Sequence, residues 1–217
     1  MNKKNYYLLI CLLFCSVILQ GQSLSSVLKK RPSVYGGFES RNSFVQGATA
    51  DLSGLKVGLS FDNTIKFSFA RYKLISDIVE VKKVRLANLQ DTLVRANLQL
   101  LYYAPGVEYI IYKKDPWQVS IPVEIGIGKS YFTYFVSKGK KDRAFESGIL
   151  LIEPGISGHY KVMRWVGVGF GIGYRAMLKN NPDIDTRVSN FTFSIGVKLF
   201  FSEIIDSIWP REIKVSK

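Results

Sequence analysis

Residues 165–175, Trp-Val-Gly-Val-Gly-Phe-Gly-Ile-Gly-Tyr-Arg, constrain the fold of this chain more than any other stretch. Val166, Val168, Phe170, Ile172 and Tyr174 share one face of an extended strand, and Gly167, Gly169, Gly171, Gly173 and Arg175 share the other. A period of two is what a strand imposes, because successive side chains point to opposite sides of the pleat. A soluble sheet places charged groups opposite its apolar stripe. Here that face is almost bare glycine, as a narrow and crowded interior requires. The pattern predicts a membrane-spanning barrel strand, apolar outside and small or polar inside.

Seven further segments carry the same period. Residues 33–42 begin Ser-Val-Tyr-Gly-Gly-Phe-Glu. In 51–61, Leu55, Val57, Leu59 and Phe61 alternate with Gly54, Lys56, Gly58 and Ser60; in 64–75, Ile65, Phe67 and Phe69 oppose Lys66, Ser68 and Ala70. Asp62-Asn63 between them suits a two-residue hairpin turn in which both residues have positive φ. Segment 93–112 sets Ala96, Leu98, Leu100 and Tyr102 against Arg95, Asn97, Gln99 and Tyr103, with a bulge or bend rather than a break expected at Ala104-Pro105-Gly106. Segment 117–135 sets Trp117, Val119, Ile121, Val123, Ile125 and Ile127 against Gln118, Ser120, Pro122, Glu124, Gly126 and Gly128. Segments 145–160, 164–177 and 190–201 complete eight strands, the last setting Phe191, Phe193, Ile195, Val197, Leu199 and Phe201 against Thr192, Ser194, Gly196 and Lys198.

The remaining sequence frames these strands. Residues 1–22 read as a secretory signal: Lys3 and Lys4 lead an apolar core from Leu8 to Leu19, too short to span a bilayer, with cleavage near Gly21 or Gln22. Bulky Phe14 argues against a lipoprotein reading through Cys15. Cys11 and Cys15 both lie in the signal, so the mature chain has neither disulfide nor thiolate chemistry. The expected organisation is then 1–22 signal peptide, 23–32 periplasmic N-terminal segment, 33–201 barrel and 202–217 periplasmic tail. The net charge is +13, and loss of Lys3 and Lys4 leaves 28 basic against 17 acidic residues, or +11. For an exported chain this excess points to phosphorylated lipid headgroups rather than to nucleic acid, or to solvated lysines without a specific partner.

Connection lengths test the strand count. They alternate long and short: 43–50, 62–63, 76–92, 113–116, 136–144, 161–163 and 178–189. Outer-membrane barrels have an even number of strands, long extracellular loops and short periplasmic turns. With the N-terminus in the periplasm every long connection lies outside. Tyr131, Phe132, Tyr134 and Phe135 then form part of an outer aromatic girdle, and Trp117 and Trp165 part of an inner one. The fold class is all-β, an eight-stranded antiparallel up-and-down transmembrane β-barrel. In this pattern the mature chain resembles the small eight-stranded outer-membrane barrels of Gram-negative bacteria and is similar to the outer-membrane β-barrel domain family common in the Bacteroidetes. Ser194-Ile-Gly196-Val-Lys-Leu199-Phe-Phe201 resembles the last-strand signal that barrel-assembly machinery recognises in that family, so Ser194, Gly196, Leu199 and Phe201 are assigned that role. The signal usually ends the protein; here residues 202–217 follow.

Lys56, Lys66, Arg95, Gln99, Gln118, Glu124, Glu153, Arg175 and Lys198 are the lumen-facing candidates. A barrel of eight strands is just wide enough for side chains to fill it. Buried charges must be paired, so Lys56, Lys66, Arg95, Glu124, Glu153, Arg175 and Lys198 are expected to form a salt-bridge plug; a proton path or gated pore is the alternative. His159, the single histidine, falls at the inner end of its strand, away from the rim where lipid-modifying barrel enzymes carry their catalytic groups. A structural role is expected for it, with no catalytic residue, no metal and no cofactor.

The loop Ser137-Lys-Gly-Lys-Lys-Asp-Arg143 offers Lys138, Lys140, Lys141 and Arg143 to lipopolysaccharide phosphates, or forms a solvated hairpin. Alternation in 76–92 predicts a hairpin protruding beyond the membrane. Ser202 reads as the N-cap of a short amphipathic helix carrying Ile204, Ile205, Ile208 and Trp209. The functional expectation is a plugged, non-enzymatic outer-membrane protein with a structural or interaction role in adhesion, assembly or envelope maintenance. Its partners are lipid phosphates, assembly machinery and a periplasmic or extracellular protein. A lipid A or phospholipid-modifying barrel enzyme and a small pore are the alternatives; a soluble lipocalin-like barrel would need charges where this chain has Val, Ile and Phe.

Overall fold

The computed structural model describes residues 21–45, 48–85, 91–136, 140–179 and 190–208. Helix α1 (Gly21–Leu28) precedes nine strands: β1 (Ser33–Val45), β2 (Ala48–Phe61), β3 (Ile65–Leu74), β4 (Val79–Arg85), β5 (Asp91–Lys114), β6 (Trp117–Val136), β7 (Lys140–Met163), β8 (Val166–Lys179) and β9 (Asn190–Phe200). Helix α2 (Phe201–Ile208) follows. Every pairing is antiparallel. Strand β1 pairs with both β2 and β9, and β3 pairs with β5, so the sheet closes on itself. Of the nine strands only β4 stands outside the ring, which leaves eight in it.

Strand β4 is a continuation of β3. After a break at 75–78 it pairs with the first residues of β5, Val79 opposite Asn97 and Arg85 opposite Asp91, while β3 pairs lower down with Leu101–Tyr109. The predicted hairpin within 76–92 is therefore present. Strands β5 and β7 run 24 residues each, whereas a bilayer needs only about 9–11 residues per tilted strand. The β4–β7 side of the barrel rises well beyond the membrane as a wall.

Two local expectations change. Pro105 stays in register opposite Phe69, its missing N–H removing a bond but not a residue from the ladder; the bulge falls at Ile111, where the pairing with β6 shifts. The basic 136–144 connection is shorter than expected, because β7 begins at Lys140 and pairs back to Val136. The Asp62-Asn63 turn has φ of 49° and 50°, as a turn with two left-handed residues demands.

The two faces of the wall divide as the alternation requires. Phe38, Ile127, Phe170 and Ile195 are 66%, 57%, 53% and 61% exposed, and Val57, Phe69, Ile125, Val168, Ile172 and Phe193 join them in a belt around the ring. Such a continuous apolar belt exceeds any patch that a soluble protein tolerates and is the surface a barrel turns to lipid. Trp117 packs edge-on against Tyr160 with ring centroids 4.9 Å apart, and Trp165 is exposed in the short turn between β7 and β8. At the other end Phe135 is exposed, but Phe132 and Tyr134, expected in the outer girdle, point inward and are 0% and 5% exposed. The pleat decides this: Phe132 and Tyr134 share parity with buried Glu124 and Ser130, not with Ile125 and Ile127.

Candidate functional site

The interior is stacked in three layers. Nearest the long connections lies an apolar layer that includes Leu52, Tyr72, Leu98, Tyr102, Phe132 and Leu151. Glycines on the neighbouring strands make room for its side chains: a Cβ on Gly54 would strike the Tyr72 ring, and one on Gly126 would lie 2.7 Å from Leu151 and 2.8 Å from Tyr102. The Tyr72 and Tyr102 rings meet at 5.2 Å and point their hydroxyls down into the charged layer beneath.

That middle layer holds three carboxylates, Glu39, Glu124 and Glu153, and three cations, Arg41, Lys56 and Arg175. Arg41 is central. Its Nε donates to Glu39 Oε1 at 2.8 Å, its Nη1 reaches Glu124 Oε2 at 2.9 Å and Glu153 Oε1 at 3.0 Å, and its guanidinium lies 4.2 Å from the Tyr72 ring centre. Lys56 Nζ bridges Glu39 and Glu124 at 2.9 and 2.6 Å. Arg175, 0% exposed, donates from Nε to Glu153 Oε2 at 2.8 Å and from Nη2 to the Tyr102 hydroxyl at 3.2 Å. Thr192 Oγ1 donates to Glu153 Oε1 at 3.1 Å. Glu124 is held differently: its oxygens are within ion-pair range of Arg41 and Lys56 but receive no well-directed hydrogen bond. Charge proximity rather than bond geometry fixes it.

The lowest layer, at the short-turn end, contains Tyr35, Lys66, Glu108, Ser120, Ser157, His159 and Lys198. Glu108 Oε1 accepts from Lys66 Nζ at 2.8 Å and from Ser120 Oγ at 2.7 Å. Lys198 Nζ lies 4.2 Å from the Tyr35 ring centre and has no carboxylate in ion-pair range among the described residues.

Against the sequence expectation, Lys56, Glu124, Glu153 and Arg175 meet in one cluster. Lys66 pairs separately with Glu108, and Lys198 lies in that same lower layer over the Tyr35 ring without an ion pair of its own among the described residues. Arg95 and Gln99 are corrected: both lie on the outward face of β5, with Arg95 opposite Val81 on β4, while Ala96, Leu98 and Leu100 point in. Above the membrane level the apolar residues of β5 fill the interior, which reverses the usual rule for a lipid-facing strand. Glu39, Arg41 and Glu108 were missed. Glu39 and Arg41 share parity with Tyr35, and Glu108 continues the parity of Tyr102 and Ala104 past Pro105, so alternation was the available signal.

His159 lies where expected, its ring against Gly169, whose Cβ would be 2.9 Å from His159 Cδ2. The β8 glycines thus make room for His159, Ser194 and Thr192; only Gly173 approaches an acidic side chain, Glu153. Among the described residues no group of three or more His, Cys, Asp or Glu could hold a metal ion, and no helix is long and apolar enough to cross a membrane.

The remaining candidates sit at the two rims. Lys141 stands 5.2 Å from the Phe135 ring centre and Arg143 lies 4.7 Å from that of Tyr131, both exposed on the β6–β7 hairpin. Lys138 lies outside the described residues, and of Lys140 only the backbone in β7 is described. Ser194 and Gly196 face inward on β9, and Leu199 ends its outward row. Phe201 has left the strand to open α2, where its ring covers Gly36. Ser202 does not cap that helix; its Oγ accepts from the Val34 N–H at 2.9 Å and ties α2 to β1. Glu203 takes a 2.8 Å hydrogen bond from Arg164 Nε, which, with the nearby Lys161, holds its carboxyl below the usual range. Trp209 lies outside the described residues.

No protein-family model matches the sequence, and no curated protein is significantly similar to it. Solved structures do resemble the fold. A major outer-membrane protein from Thermus thermophilus matches with a TM-score of 0.51 at 9% identity, covering 77% of this chain and 99% of that one. Neisserial surface protein A matches at 0.48 and 14%, covering 78% and 97%. The attachment invasion locus protein Ail of Yersinia pestis matches at 0.47 and 11%, covering 77% and 96%. At these identities the likeness concerns the fold alone. A closed antiparallel ring of eight strands, an apolar belt around it and a fold shared with the Thermus thermophilus outer-membrane protein together place this chain in the outer membrane as a small β-barrel.

Proposed function

We propose that this protein is a closed, non-enzymatic outer-membrane barrel that works through its two rims in adhesion, assembly or envelope maintenance. The observation that carries this reading is the filled cross-section: an apolar layer lies directly on a charge-balanced layer of three carboxylates and three cations. Side chains locked in mutual ion pairs leave no carrier groups for a pore. The single histidine stands at the short-turn end, opposite the rim that meets lipid A.

The extracellular contact would be made by Lys141 and Arg143, with Lys138 and Lys140 beside them in sequence. Both described cations lie over aromatic rings of β6 at the rim of the long connections, and charge-assisted contacts to phosphate are strong. The 194–201 motif and the strand pattern support the narrower affiliation with the Bacteroidetes-type barrel domain and delivery by barrel-assembly machinery. The test compares lipid A mass spectra of cells with and without the protein, and lipopolysaccharide binding of the K141E/R143E variant. Unchanged lipid A and weakened binding are expected. A lipid A species lost in the deletion strain would overturn the non-enzymatic reading.

A further inference from the structure

The interior does not balance its charge at the short-turn end. The middle layer is neutral, but the layer below it holds two buried lysines, Lys66 and Lys198, and one carboxylate, Glu108, which is ion-paired with Lys66. One oxygen of that carboxylate is already engaged by Lys66 and Ser120. Lys198 is 7% exposed, and a buried ammonium without a counter-charge is costly. The face of Tyr35 offers it partial compensation only.

A cavity of about 290 Å³ opens directly beneath, lined by Lys198, Gln118 and His159, with Trp117, Tyr160 and Phe200 in its wall. Gln118 and His159 are cross-strand partners on β6 and β7. Gln118 Nε2 and His159 Nδ1 are both buried and lack a hydrogen-bond partner. The amide nitrogen can only donate, and the imidazole nitrogen donates in one tautomer. Three donor-capable groups thus line one space, whose two carboxylates are Glu203, already engaged by Arg164 and Lys161, and Asp115, exposed in the β5–β6 turn. We propose that this cavity binds a small oxyanion of the phosphate class, with Lys198 supplying the charge and Gln118 and His159 the directed hydrogen bonds. A liquid water occupies about 30 Å³, so the space holds such an anion and several waters. Its mouth lies at the end that the short turns identify as periplasmic, beside exposed Lys113 and the α2 helix.

The test is calorimetric titration of inorganic phosphate into the full chain, refolded in zwitterionic detergent. One site is expected, weakened roughly tenfold or more in K198M, about 1.4 kcal/mol or above, and weakened in Q118L, which keeps every charge. K129Q, at an exposed lysine outside the cavity lining, should bind as the parent does. Absence of phosphate binding in the parent, or binding that survives both K198M and Q118L, would overturn the proposal. If K198M fails to refold, Q118L alone decides. Repeating the titration in phosphatidylcholine vesicles with and without phosphatidic acid identifies the source. Competition by phosphatidic acid assigns the oxyanion to a lipid headgroup, and unaffected binding assigns it to a soluble anion.

Discussion

Glu124 and Glu153 stand directly opposite each other across the β6–β7 pair, and a single atom, Arg41 Nη1, contacts both carboxylates at 2.9 and 3.0 Å. Like charges directly opposite on a sheet repel, and in a narrow interior little water screens them. Arg41 comes from β1, which is separated from β7 around the closed ring by β9 and β8. The bridge therefore spans the lumen and closes the barrel in cross-section.

Replacing Arg41 by methionine should leave an uncompensated buried carboxylate and destabilise the barrel by about 3–5 kcal/mol, the usual cost of breaking a buried ion pair. The R41M/E124Q double variant restores the charge balance and should recover part of that loss. Urea midpoints of both variants in detergent micelles check this; equal destabilisation of the two would contradict the charge argument.

Glycines differ in what they make room for. Gly126→Leu should drive a side chain into Leu151 and Tyr102 and cost about 1–3 kcal/mol through overpacking, lowering the fraction of folded, heat-modifiable protein on unboiled gels. Gly169→Leu should act similarly through His159. Gly148→Ala should be tolerated, since its Cβ would meet nothing nearer than Gly128 O at 4.0 Å.

The docking of α2 should depend on pH. Glu203 keeps its proton less readily in the folded state because of the Arg164 hydrogen bond and the Lys161 charge. A depressed carboxyl contributes stability that is present above its unfolded value, about 4.3, and is lost as pH falls through the folded value. Below about pH 4 the tail should become open to protease at the Ile204–Ile208 end while the barrel stays closed. E203Q should show the open pattern at neutral pH; a tail equally protected at neutral and strongly acidic pH would count against the contact.

The strands were legible because both faces of this wall impose the same period, one through lipid and one through crowding. Phe170 and Gly171, or Ile125 and Glu124, announce that arrangement residue by residue. Legibility failed where the environment changes along a strand. Arg95 and Phe132 sit above the membrane level, where the outside is water and the inside is apolar, so alternation continues but its meaning inverts. The partners within the lumen were not legible either. Lys66 and Glu108 become neighbours only because β3 pairs β5 and skips β4, which sequence order does not disclose. Arg41 was overlooked because β1 has few outward apolar residues besides Val34 and Phe38, leaving its period faint.

Single-channel recording tests the closed lumen most directly. The refolded protein in planar bilayers should give no stepwise current across the range of potentials a bilayer withstands, and R41M/E124Q should give none either, because the apolar layer above remains. Regular ohmic steps from the parent protein would contradict the plugged barrel.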